Sequence, residues 1–183
     1  MTAKIVLLNS VGSAGKSSIA RALQAMTAEP YLHVEMDVFL EMLPEALQED
    51  LPGFAYKTSW QDGKPSVAVE AGPVGRRAMQ GMRHAIAAMA RQGNNLIVDD
   101  VMIDGEMAEY RALLCDFGLH CVGLFAPLDV LEVREKERAD RLPGLARWQF
   151  ERVHRGIRYD LEIDTSRLTP TECARRIQQR FGL

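Results

Sequence analysis

The sequence predicts a three-layer α/β/α fold, with helices on both faces of a mostly parallel, five-stranded sheet. Two observations carry this. Short apolar, β-branched-rich runs alternate with helical patterns along the chain, the signature of a parallel sheet covered on both faces. The 183 residues, 47% hydrophobic and 26% charged, suit one soluble domain with a sizeable core over 1–183.

The elements follow in order. "KIVLLN" (4–9) reads as a buried strand and "GKSSIARALQAMTA" (15–28) as a helix with Ile19, Leu23 and Met26 on one side. "YLHVEMD" (31–37) is a second strand. A long helix at 74–93 ends at Gly93, a helix-terminating residue. "NLIVDD" (95–100) and "LHCVGLFA" (119–126) are strands, and 131–142 is a helix. "YDLEID" (159–164) is a last short strand. Thr169-Pro170-Thr171-Glu172 then opens the C-terminal helix with a capping box and proline in the first turn. Residues 43–73 break the rhythm. They hold four of the eight prolines and read as an irregular excursion from the sheet, with Phe54, Tyr56 and Trp60 inside it.

A net charge of −3 argues against a general nucleic-acid or anionic-membrane binder. No apolar run approaches the length of a membrane span or a signal-peptide core. Cys115, Cys121 and Cys173 form no CxxC pair and read as free, buried apolar residues. A cytoplasmic location is expected. Met36, Met42, Met79, Met82 and Met89 read as core fillers. His33, His84, His120 and His154 lack metal-ligand spacing and read as structural or surface residues.

"SVGSAGKSS" (10–18) follows the first strand and precedes a helix, the setting of a phosphate-binding P-loop. Its backbone N–H groups, from Ser10, Val11, Gly12, Ser13, Ala14 and Gly15 to Ser18, are candidates to cradle phosphates. Lys16 would reach the β- and γ-phosphates of ATP, and Ser17 would place its hydroxyl on Mg²⁺. Ser10 stands where the motif has glycine, at a cost if that position needs a positive φ. The other reading is a plain β–turn–α start with a surface lysine.

Three further features bear on this chemistry. Asp99 and Asp100 end a buried strand, as a metal-holding Walker-B strand does, or serve as turn residues. Spacing does not choose between them for the metal. Asp37 ends another strand, where ligands bind in open α/β sheets; it is a candidate proton acceptor or a helix N-cap. Arg134, Arg138 and Arg141 are four and three apart on one predicted helix face, suited to phosphate contact or to a salt-bridged surface with Glu135, Glu137 and Asp140.

Taken together, these residues resemble the chloramphenicol phosphotransferase family of small P-loop kinases. The likeness is carried by "SAGKSS", by "DVFLEMLP" from Asp37, and by "NNLIVDDV". It continues through the arginines of "RADR", through Gln149, and through "YDLEIDTS" and "TPTECA", over essentially the whole chain. The resemblance implies a P-loop NTPase fold of the nucleotide- or shikimate-kinase kind. It implies transfer of the γ-phosphoryl group of ATP, with Mg²⁺, to a hydroxyl of a small molecule such as a chloramphenicol-like antibiotic, and a role in resistance. By the same resemblance Asp37 is the general base, and Arg134, Arg138 and Arg141 belong to a lid-like region at 131–150. Gln149 matches the family without a role to go with it. Ser10 and Val11 depart from the family's Gly-Gly. Phe54, Tyr56 and Trp60 are candidates to line the acceptor pocket, or else they fix the excursion to the core. Two rivals stand beside this reading. One is a nucleotide-sugar kinase of the zeta-toxin type, which would use Lys57, Arg76 and Arg77. The other is a nucleotide-binding module without turnover. A GTPase would want an Asn-Lys-x-Asp stretch, and there is none.

Overall fold

The computed structural model describes residues 2–138 and 142–183. Five strands form one parallel sheet: β1 (Lys4–Asn9), β2 (Tyr31–Glu35), β5 (Asn95–Asp100), β6 (Gly118–Phe125) and β7 (Leu161–Asp164). Their order is β2-β5-β1-β6-β7. Period-2 alternation divides β1 between two cores. Ile5 and Leu7 face α3 (Pro73–Arg91) and α4 (Glu106–Leu113), where Met82, Ile86 and Tyr110 meet them. Val6 and Leu8 face α1 (Lys16–Gln24) and α7 (Pro170–Phe181), packing with Ile19, Leu23 and Ile177. The capping box at Thr169 and Glu172 is present, and Gly93 ends its helix at φ 88. The remaining helices are α2 (Met36–Glu41), α5 (Leu128–Lys136) and α6 (Leu145–Phe150).

Most of the segment expected to be irregular is instead an ordered hairpin, preceded by a short 3-10 turn at Glu45–Leu47. β3 (Phe54–Gln61) pairs antiparallel with β4 (Lys64–Ala71). Asp62 and Gly63 form its two-residue turn with φ values of 50 and 74, the backbone a tight hairpin turn requires. Pro65 is tolerated opposite Trp60, one pair from the turn, where a missing N–H costs little.

The predicted helix over 131–142 stops at Lys136. The buried Glu135 carboxylate turns the chain there, accepting the Gly144 and Ala146 N–H groups at 2.7 Å each. Arg134 and Arg138 therefore share no helix face, and Arg141 lies outside the described residues. Cys121 and Cys173 are buried as expected, but Cys115 is exposed. Met82 is a core residue, whereas Met42 is 67% exposed.

Candidate active site

Parallel pairing places the C-terminal ends of β1, β2 and β5 side by side. Asn9 lies opposite Asp100, and Glu35 and Leu8 lie opposite Asp99. The loop after β1 is thus set against both aspartates before any side chain is considered. Gly15, at φ 92, lets the loop turn into α1, and Ser13 is also left-handed at φ 64. Ser10 is not among the positive-φ residues, so the substitution carries no backbone strain. Its buried hydroxyl donates to the Leu124 carbonyl at 2.5 Å, tying the loop to β6. Val11 and Ala14 are buried with Leu131, Ala146 and Val153, which explains an apolar residue where the family has glycine.

Lys16 is 9% exposed and lies over the loop, donating to the Ser10 and Val11 carbonyls at 3.2 and 3.3 Å. Ser17 Oγ donates to Asp99 Oδ2 at 2.8 Å. His33 Nε2 meets the same oxygen at 3.0 Å, and its Nδ1 lies 3.3 Å from Glu35 Oε1. Burial pushes the Asp99 carboxyl up, but hydrogen bonds from His33 and Ser17 and the Lys16 charge outweigh it and hold it below its ordinary value. Ser18, on the same turn, faces solvent.

Asp100 behaves differently. It accepts from the Tyr110 hydroxyl and the Val101 N–H at 2.7 Å each. Burial nevertheless raises its pKa to about 6. The two adjacent carboxylates thus have opposite electrostatics, and it is Asp99 that sits beside Ser17.

Next to the loop opens a cleft of about 700 Å³. Asp37 and Met36 from α2 line it, with Phe54 and Tyr56 from the hairpin, Arg76 and Arg83 from α3, and Trp148 and Gln149 from α6. Asp37 lies in the first turn of α2, where the N-cap is Glu35, so the N-cap reading does not hold. Trp60 is 72% exposed and is not in the cleft wall, because the hairpin carries it past the cleft toward its tip. Arg134 is not in the wall either; it donates to Thr165 Oγ1 and O at 3.3 and 2.8 Å, pinning α5 to the end of β7. Arg138 lies just past α5 and is not in the wall. Lys57 pairs with Glu70, and Arg77 is exposed outside the cleft, leaving Arg76 of the three candidate cations.

Several contacts were not legible in the sequence. Asn9, fully buried, donates to the Val153 carbonyl and Tyr159 hydroxyl at 2.7 Å and accepts the Met102 N–H at 2.9 Å. A lone amide closing an apolar strand was the available signal. His33 proves to be a partner of Asp99, and His33, Glu35 and Asp99 each bring a potential ligand atom within 4.8 Å of the others. Their mutual hydrogen bonds account for that arrangement.

Comparison with known proteins agrees with this geometry. The family model for chloramphenicol phosphotransferase-like protein matches residues 3–182. A Mycobacterium tuberculosis protein, provisionally named an O-phosphotransferase, is 33% identical over 186 residues, covering 97% of this chain and 82% of its own. A tunicamycin resistance protein of Deinococcus radiodurans superposes with a TM-score of 0.66 at 19% identity, over 99% of this chain and 96% of that one. Shikimate kinase of Aquifex aeolicus gives 0.59 at 13%, over 96% and 94%. The fold is that of the small P-loop kinases, and the chain belongs to the chloramphenicol phosphotransferase-like protein family.

Proposed function

We propose that the chain acts as one kinase unit over 1–183, moving the γ-phosphoryl group of ATP to a hydroxyl of a small molecule, with a chloramphenicol-like alcohol as the first acceptor to test. The observation that carries this is the junction of two sites. A P-loop with Lys16 and Ser17 at its end and a cleft lined by Asp37 share Gln149, which accepts the Gly12 N–H and lines the cleft. Phe54, Tyr56, Met36 and Trp148 supply an apolar side to a cleft that charged residues also line.

The residues present suit the nucleotide and its metal. Among the described residues Ser13 Oγ is buried in the loop with no hydrogen-bond partner, a donor that a phosphate oxygen would satisfy. Ser17 and Asp99 offer the hard oxygen ligands that Mg²⁺ takes, so they are the residues to hold it, with Asp100 held away by Tyr110. Bound there, Mg²⁺ would supply positive charge against the phosphate oxygens and ATP would supply the phosphoryl group. Lys16 would turn its ammonium from the loop carbonyls to phosphate. Asp37 would orient the acceptor hydroxyl and take its proton. In this chemistry positioning and electrostatics account for most of the rate. Arg138 and Arg141 would neutralise charge during transfer, while Arg134 would hold α5 in place.

The cleft's charge favours a neutral acceptor over a nucleotide diphosphate. Asp37, Glu70, Asp100, Asp104, Glu106 and Glu109 line it against Arg76 and Arg83, and Arg83 is already paired with Glu109 at 2.6 Å. Purified protein with MgATP is expected to release ADP faster when chloramphenicol is added, with a phosphorylated product in the mass spectrum. Tight ATP binding with no acceptor-dependent ADP from chloramphenicol or a panel of neutral alcohols and sugars would refute the assignment.

A further inference from the structure

Gln149 both touches the phosphate-binding loop and lines the cleft. It sits on α6, 8% exposed, and its Oε1 accepts the Gly12 N–H at 2.8 Å. That bond settles the orientation of the carboxamide. An N–H needs an acceptor, so Oε1 faces Gly12 and Nε2 lies on the other branch. Among the described residues Nε2 has no hydrogen-bond partner, yet it is not one of the buried unpartnered atoms, which are Ser13 Oγ and Arg147 Nε. It therefore keeps access to solvent, on a side chain that lines the cleft.

The support behind Gln149 is stiff. Glu135 caps the start of α6 through Gly144 and Ala146, and Arg147, one turn from that cap, pairs with Glu132 on α5. Glu132 also holds Lys64 of the hairpin at 2.7 Å. The carboxamide is thus carried on a helix fixed to α5 and to one wall of the cleft. Its outward N–H groups have few directions available, which favours binding a ligand oxygen at low entropic cost.

We propose that Gln149 is an acceptor-binding residue: Gly12 fixes its carboxamide, and its Nε2 donates to an oxygen of the molecule that receives the phosphoryl group. The inference rests on the cleft being the acceptor site. It makes the loop and the acceptor share one side chain, so the acceptor oxygen is placed relative to the nucleotide loop itself. When no alcohol is present, a water oxygen takes the same donor, and slow ATP hydrolysis depends on Gln149 too.

Gln149→Glu keeps an oxygen for Gly12 and removes the outward donor; Gln149→Leu removes both. Steady-state ADP release would be measured for wild type and both variants, with chloramphenicol, with a panel of neutral sugar alcohols, and with water alone, beside thermal melts. The expected result is a fall of roughly 10-fold or more in acceptor kcat/KM for both variants, and a parallel fall in acceptor-independent hydrolysis. Gln149→Glu should melt close to wild type, and Gln149→Leu should keep its KM for MgATP within a few-fold. Wild-type turnover by Gln149→Glu, or losses confined to MgATP affinity and melting temperature, would overturn the proposal and leave Gln149 as a brace of the loop. If wild type uses no alcohol, the phosphotransferase reading fails by itself, and the hydrolysis rates still decide the role of Gln149.

Discussion

Asp37 and Asp99 show how far a single carboxylate's surroundings decide its chemistry. Asp99 is tied to Ser17 and His33 and kept ionised, which suits a group that holds a cation. Asp37 lies in the cleft wall at the start of α2, where an acceptor hydroxyl would reach it. Asp37→Asn is expected to lower kcat by roughly 10²–10⁴-fold while MgATP binding, measured by calorimetry, changes little. Equal losses in turnover and ATP affinity would remove Asp37 from the proton-transfer role. The loop substitutions resolve at this scale as well. Ser10 exchanges the flexibility of glycine for a hydrogen bond to Leu124, and Val11 for burial beneath the loop.

At the scale of elements, Glu135 on α5 holds the start of α6. Its carboxylate is 3% exposed and satisfies two N–H groups that would otherwise be orphaned at the start of α6. Glu135→Ala should cost about 2–3 kcal/mol, a fall of roughly 5–10 °C in melting temperature, and should weaken activity through Gln149. An unchanged melt would show that the corner is held by packing alone. The hairpin was missed at this scale although "Asp-Gly" between two strand-like runs is a strong short-range signal. Pro52, Pro65 and Pro73 around it are residues that local propensity assigns to irregular backbone. α4 was missed for another reason: Met107 and Tyr110 are its buried residues, too few to make an apolar stripe.

Across the molecule, two buried groups pull stability in opposite directions as pH falls. Asp100 is raised from 3.8 to about 6 by burial, against the Tyr110 hydrogen bond and with Glu106 and Arg83 nearby. A raised carboxylate pKa favours the protonated fold, so its stabilising contribution is full below about pH 4 and is lost as pH rises through 6. That difference is worth about 3 kcal/mol. His154 is lowered from 6.5 to about 4, by burial first and by Lys16 second, so its contribution is present above pH 6.5 and is lost as pH falls through 4. His154 is half-buried, and solvent screening makes its effect the smaller one. From pH 7 to pH 4, wild type should therefore gain roughly 5–10 °C in melting temperature over Asp100→Asn. It should lose ground to His154→Phe over the same range. A difference that stays flat with pH would show that these two groups titrate normally. No helix among the described residues is long and apolar enough to cross a membrane.

The sequence by itself determined the five strands of the parallel sheet, the loop and the capping of the last helix, because these rest on local periodicity and on short motifs whose geometry is set within a few residues. It also placed the loop carrying Lys16 and Ser17 after β1, Asp37 just past β2, and Asp99 and Asp100 at the end of β5, and parallel pairing brings these strand ends to one edge of the sheet. Only the tertiary structure set Asp99 beside Ser17 and Asp100 against Tyr110, carried Trp60 out of the cleft wall, tied Arg134 to Thr165, and brought Gln149 to Gly12 across 137 positions of chain. Those outcomes depend on burial and on hydrogen bonds between distant segments, and no local pattern records which groups will meet once the sheet has closed its two cores.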